Sequence, residues 1–135
     1  MNKLKILIAE NDEDEQDFLR EGFEMDDHFE ISAIVSNAKE LYQTLQETVG
    51  NLPDLILTDL HMAGQTGFDV LRFINSDSRY SSIPVIVYSG SLLDSIVTKC
   101  LELGASEVVL KPSSLDGYQK FPQQLYQHMQ EIEGH

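Results

Sequence analysis

The chain has little of what would tie it to a membrane, a nucleic acid or an oxidising compartment. Among its 135 residues there is one cysteine, Cys100, so no disulfide framework can form within it. A single thiol fits a reducing cytoplasm, and Cys100 reads as a small buried apolar residue on a helix face rather than a reactive thiol. Positive charge is scarce. Nine lysines and arginines face 23 aspartates and glutamates, for a formal net charge of −14. Such a surface repels nucleic-acid phosphates and anionic lipid heads, so neither nucleic acid nor membrane is an expected partner. Long hydrophobic runs are also missing. The first apolar run, Leu4–Ala9, is interrupted by Lys5 and is shorter than a signal-peptide core. No stretch approaches the ~20 apolar residues of a membrane span. A cytoplasmic location is the expectation. No repeat, low-complexity tract or linker divides the chain, and a 41% hydrophobic composition is enough for a core without disulfide or metal staples. One domain over residues 1–135 is predicted.

What is present is an alternation of buried runs and helical faces. Leu4–Ala9 suits a strand covered on both sides. Asp12-x-x-Glu15 has the spacing of a capping box and precedes Phe18, Leu19 and Phe23 at helical intervals. Phe29, Ile31, Ala33 and Val35 alternate as in a strand near a sheet edge. Asn37-x-x-Glu40 repeats the capping spacing before the helical face Ala38, Leu41, Tyr42, Leu45 and Val49. Leu55–Leu57 is a third strand ending at Thr58-Asp59, followed by a glycine-bearing loop, His61 to Gly67, and a short helix with Phe68, Leu71 and Ile74. Pro84–Tyr88 is a fourth strand. Leu92, Leu93, Ile96, Val97, Cys100 and Leu101 form the next helical face. Val108–Leu110 is a fifth strand, broken by Lys111-Pro112. A last helix turns Leu125, Tyr126, Met129 and Ile132 inward, with Pro122 expected in its first turn. Strand and helix alternating about five times predict an α/β fold: a flavodoxin-like, doubly wound, five-stranded parallel sheet with helices on both faces.

In such folds ligands bind at the carboxyl ends of the strands. Those ends carry Glu10-Asn11-Asp12, Asp59, Ser89-Gly90-Ser91 and Lys111-Pro112. Two carboxylates ~4–5 Å apart repel by roughly 3–4 kcal/mol at an effective dielectric of ~20. The cluster therefore suits a hard divalent cation with oxygen ligands, and Mg²⁺ retains positions for phosphate oxygens. A carboxylate beside such a metal can act as a nucleophile and form an aspartyl phosphate. Lys111 would offer a point charge to a phosphoryl oxygen, and Ser89 a hydroxyl. Singly, each has an ordinary explanation: Glu10 and Asp12 as capping acids, Ser89-Gly90 as a turn, Lys111 as a loop lysine. Their joint placement is what points to a site.

These residues carry a resemblance over essentially the whole chain. LKILIAEND, PDLILTDLHMAGQTGFDVL, IPVIVYSGS and LGASEVVLKP together resemble the response-regulator receiver family of two-component signal transduction. The resemblance implies that Asp59 is the phosphoacceptor, that Glu10 and Asn11 occupy the family's acidic pair, and that the His61 backbone carbonyl joins Glu10, Asn11 and Asp59 around Mg²⁺. It implies Ser89 as the switch hydroxyl and Lys111 as the phosphate-contacting lysine. It also implies a phosphohistidine donor on a sensor histidine kinase or phosphotransfer protein, and a cis Lys111–Pro112 peptide, which is common in the family. Such a chain is not an enzyme beyond catalysing its own Mg²⁺-dependent phosphorylation and dephosphorylation. If it is full length there is no room for an effector domain, and output runs through contact with an unnamed downstream protein. The helix near Leu93–Leu103, the fifth strand and the last helix are the expected contact face, again by resemblance.

Three positions depart from the family. Asn11 stands where a metal-ligating Asp is usual, with Asp12 following it. Ala63 replaces a proline, and Val108 replaces the aromatic that turns inward when the hydroxyl swings. His61 reads either as a solvent-exposed loop residue or as a tuner of phosphate lifetime. Other classes are weighed on the same residues. A flavodoxin-like nucleotide binder needs an anion cradle after the first strand, where this chain has Glu10, Asp12, Glu13 and Asp14. An aspartate-based phosphohydrolase needs a second acid close to Asp59, where this chain has Leu60-His61. A degenerate receiver that binds a partner without phosphorylation stays open because of Asn11.

Overall fold

The computed structural model describes residues 3–62 and 64–133. In chain order the elements are β1 (Leu4–Ala9), α1 (Glu13–Glu24), β2 (Phe29–Val35), α2 (Ala38–Glu47), β3 (Leu55–Asp59), β4 (His61–Met62), β5 (Gln65–Thr66), α3 (Gly67–Ser76), β6 (Val85–Ser89), α4 (Asp94–Glu102), β7 (Glu107–Leu110) and α5 (Leu115–Glu133). Five strands pair in the order β2-β1-β3-β6-β7, every pairing parallel. The expected doubly wound sheet is therefore present. From β1 the chain winds outward to β2, then returns to β3 on the other side and continues to β6 and β7. The ends of β1 and β3 are thus the switch point of the topology, the crevice where open α/β sheets bind ligands.

Strand alternation divides the core in two. Ile6, Ile8, Leu55, Leu57, Ile86, Tyr88 and Val109 pack with Leu19 and Phe23 of α1 and with Phe121, Leu125 and Met129 of α5. Leu7, Ala9, Ile56, Val85, Val87 and Val108 pack against α2, α3 and α4. Each fully buried Leu, Ile or Phe contributes about 1.5–3 kcal/mol. Covering both faces is what turns the strand sequences into continuous apolar runs.

β2 departs from simple alternation. Ile6 pairs with Ile31 but Leu7 with Ala33, so Ser32 is an extra residue, a β-bulge. Its hydroxyl donates to the Ile6 carbonyl at 3.2 Å. The bulge reverses the strand's faces: Phe29 and Ile31 join the α1–α5 side, Ala33 and Val35 the other. The one-sided row expected for β2 is corrected accordingly.

Several helical expectations shift as well. Asp12 caps α1 by accepting from the Glu15 amide at 3.0 Å, but Glu15 accepts the Tyr118 hydroxyl instead of closing a capping box. α2 ends at Glu47, leaving Val49 outside it and 97% exposed. α4 begins at Asp94, so Leu92 and Leu93 precede it and are exposed, as is Leu101. Cys100 is its buried residue, in line with its reading as core. Ile132 is likewise exposed.

Pro122 lies inside α5 rather than in its first turn. Proline has no N–H, so the Tyr118 carbonyl four residues earlier loses its helical donor. That carbonyl points at Gly22 of α1, where any Cβ would fall well inside van der Waals contact of the oxygen. The missing donor in one helix and the missing side chain in the other let α1 and α5 approach closely.

Candidate functional site

Glu10 follows Ile6 and Ile8 at even spacing, Asp59 follows Leu55 and Leu57, Tyr88 follows Ile86, and Lys111 follows Val109. Strand period therefore aims all four toward the α1–α5 side, at the ends of four adjacent strands. The side chains meet there. The Lys111 ammonium lies 3.0 Å from Asp59 Oδ2 and 3.5 Å from Glu10 Oε1. Glu10 is 0% exposed and Asp59 4%. Asp59 Oδ1 accepts the His61 amide at 3.2 Å.

Glu10 is held on every side. Its Oε2 accepts the Asp12 amide at 2.9 Å, its Oε1 accepts the Tyr88 hydroxyl, and its backbone carbonyl accepts Gln16 Nε2 at 2.6 Å. Burial raises the Glu10 pKa above the ordinary carboxylate value. The Tyr88 and Asp12 hydrogen bonds oppose that rise, Asp59 adds to it and Lys111 works against it. Burial would lower the Lys111 pKa, but the hydrogen bond and charge of Asp59, followed by the charge of Glu10, outweigh it and the net shift is upward. The lysine is therefore a cation between two carboxylates.

The other sequence-derived residues are less closely gathered. Asn11 is exposed. Asp12 is also exposed, and its carboxylate is engaged at the α1 cap. Ser89 is 2% exposed, and its hydroxyl accepts the Ser91 amide at 3.3 Å without a hydrogen bond to the Asp59–Lys111 cluster. The Lys111 amide donates to the Ser89 carbonyl at 2.8 Å, which ties the ends of β6 and β7 together. His61 is exposed and lies in a two-residue strand antiparallel to β5, where only a loop was expected. Ala63 lies outside the described residues. Val108 packs into the core on the α4 side. Contrary to the resemblance, the Lys111–Pro112 peptide is trans.

Gly67 shapes the floor of the site. Its amide donates to the Leu60 carbonyl at 2.8 Å, and a Cβ there would lie 2.9 Å from the Asp59 carbonyl oxygen. A side chain at 67 would push the Asp59 backbone aside. The residue that sequence reading passed over is Tyr88, treated there as one more strand residue. The available signal was its even spacing in β6 and the rule that a buried tyrosine hydroxyl needs a partner.

The two buried carboxylates, Glu10 and Asp59, offer oxygen donors of the kind that suit a hard cation such as Mg²⁺. Among the described residues no group of three or more acids, histidines or cysteines clusters to form a denser site. Asp59 is buried, with the His61 amide on Oδ1 and the Lys111 ammonium on Oδ2. A carboxylate thus stands at the switch point of a doubly wound parallel sheet, paired with a lysine from the end of β7, two strands away.

The family model for the response regulator receiver domain matches residues 6–120, and the chain belongs to that family. Among curated relatives it is 35% identical over 79 residues to the two-component response regulator ORR4 of Oryza sativa subsp. indica, a match covering 58% of this chain and 34% of that protein. The chain thus spans about a third of that relative's length. Among solved structures, the phosphorylated cyanobacterial phytochrome response regulator RcpA superposes with a TM-score of 0.74 at 26% identity, over 98% of this chain and 92% of that one. The Mn²⁺-bound form of the response regulator Rcp1 superposes with a TM-score of 0.77 at 24% identity, over 90% and 91% of the two chains.

Proposed function

We propose that this receiver domain takes a phosphoryl group onto Asp59 and signals by protein contact. The observation that carries the reading is the Lys111 ammonium held at 3.0 Å from Asp59 and 3.5 Å from Glu10, at the switch point of the sheet. A carboxylate oxygen of Asp59 attacks phosphorus in line with the donor. The new bond is O–P, the broken bond is the P–N bond of a phosphohistidine, and the imidazole nitrogen leaves with the electron pair. Lys111 receives a phosphoryl oxygen in place of part of its present ion pair, and the Ser89 hydroxyl turns from the Ser91 amide to the phosphoryl group. Glu10, the Asn11 amide oxygen, Asp59 and the His61 backbone carbonyl would hold Mg²⁺. When bound, Mg²⁺ supplies neutralisation of the phosphoryl oxygens. The domain thereby catalyses its own phosphorylation and dephosphorylation. The donor is a sensor histidine kinase or a phosphotransfer protein, in the cytoplasm, and the target is a protein. Among the described residues no helix is long and apolar enough to cross a membrane.

Incubation with acetyl phosphate and Mg²⁺, followed by intact mass measurement, tests the assignment. One added phosphoryl group is expected on the wild type and none on Asp59→Asn. Labelling of that variant at the wild-type level sinks it. One observation favours a second reading, a receiver that binds its partner unphosphorylated: the cluster holds two carboxylates, with exposed Asn11 in place of a third. No labelling of the wild type would decide for it.

A further inference from the structure

Tyr88 is 0% exposed and pairs in register with Asp59. Its ring lies 5.9 Å from Phe121, centroid to centroid, and the Lys111 ammonium sits 5.1 Å from the centre of the Tyr88 ring. Its hydroxyl donates to Glu10 Oε1, the oxygen nearest Lys111. Tyr88 thus touches both members of the Glu10–Lys111 pair. A phenylalanine would fill the same core volume, so packing accounts for the ring and leaves the hydroxyl to be explained.

We infer that Tyr88 is a positioning residue that acts through Glu10, orienting its carboxylate toward the cation site. The inference rests on the reading of Glu10 as part of that site. The Asp12 amide fixes Oε2 from the β1–α1 turn, and the Tyr88 hydroxyl fixes Oε1 from β6. Two donors from opposite sides stop rotation of the carboxylate. Each oxygen still has a second acceptor direction, and that direction is then set before any cation arrives. A carboxylate with one donor removed would turn freely toward Lys111. With Asn11 bringing no charge, the set depends more heavily on how its two acids are oriented. Partners of this outer kind, when removed, typically weaken metal binding by roughly 10–100-fold.

The test uses the full chain and calorimetric titration with Mg²⁺ and Mn²⁺. The proteins compared are the wild type, Tyr88→Phe, Glu10→Gln and the double variant. Thermal melting in chelator first establishes that each is folded. Tyr88→Phe should weaken binding of both metals by roughly 10–100-fold while leaving the folded fraction unchanged. In the Glu10→Gln background the same substitution should change affinity by no more than about twofold, because the carboxylate it orients is gone. Wild-type affinity in Tyr88→Phe overturns the inference, as does an equal loss in both backgrounds, while the metal site itself stands. Absence of binding to the wild type removes the metal site and the inference together.

Discussion

Asn11 is an uncharged residue where the family resemblance implies a metal-ligating aspartate. It is exposed and directly follows buried Glu10 in the chain, and an amide there brings no negative charge to a cation. Hard-cation affinity depends on ligand charge as well as ligand number. Asn11→Asp should therefore tighten Mg²⁺ binding and speed phosphorylation. In chelator it should lower stability by about 1 kcal/mol, since solvent screens part of the added repulsion. Asp12→Ala is the informative contrast. Asp12 caps α1, so its loss should cost about 1 kcal/mol with or without metal, with Mg²⁺ affinity little changed. Urea titration and calorimetry on the two variants check both statements. If Asp12→Ala abolishes Mg²⁺ binding and Asn11→Asp leaves it unaltered, Asp12 is the ligand. Glu10, Asp59 and Lys111 were legible from sequence because each stands where a buried run stops. Tyr88 was not, since a tyrosine inside a strand looks like any other core residue until strand parity is matched to its neighbours. Ser89 was placed on the right strand end, but its hydroxyl is turned to Ser91, and rotamer choice is not written in strand spacing.

At the level of elements, order and type were readable because buried parallel strands and amphipathic helices have different periods. What escaped were features that break a period. Ser32 is polar and sits in an otherwise regular alternation, so nothing marks it as the extra residue of a bulge. The β4–β5 hairpin is two residues on each side, too short for any pattern. Pro122 misled for a physical reason. A mid-helix proline is normally penalised by about 3 kcal/mol, and what accompanies it here is a contact distant in sequence: the Tyr118 carbonyl it frees lies against Gly22 of α1. Gly22→Ala tests that pairing. On helix propensity alone the change should stabilise α1 by about 1 kcal/mol. The added methyl would instead meet a backbone carbonyl, which cannot turn aside as a flexible side chain can. The expected result is a net loss of about 1–3 kcal/mol in urea unfolding, with α1 and α5 forced apart. A stabilised variant would show that the helices have room to separate freely.

For the molecule as a whole, the dominant quantity is a net charge of −14 on 135 residues. Much of it is local: Glu13, Asp14, Glu15, Asp17, Glu21 and Glu24 all lie on α1, whose first turn follows the Glu10 end of β1. Such a field opposes the compact state through self-repulsion and attracts any cation, specifically or not. Two effects of Mg²⁺ on stability must then be separated. General screening acts through ionic strength, since the Debye length falls from ~30 Å at 0.01 M to ~10 Å at 0.1 M, and NaCl should deliver it as well as MgCl₂. Site binding stabilises by an amount that grows with the ratio of free cation to dissociation constant, about 2.7 kcal/mol at a hundredfold excess. Melting the protein in NaCl and MgCl₂ at matched ionic strength isolates the second effect. The wild type should gain stability with NaCl and gain further with MgCl₂. Asp59→Asn removes one of the two site carboxylates while changing the total charge only from −14 to −13. It should keep nearly the whole NaCl response and lose most of the additional MgCl₂ response. Because Lys111 loses its 3.0 Å partner in that variant, its ammonium is left facing Glu10 alone, which further disfavours a cation there. Equal NaCl and MgCl₂ curves for the wild type would mean that its acidity serves only as a diffuse field.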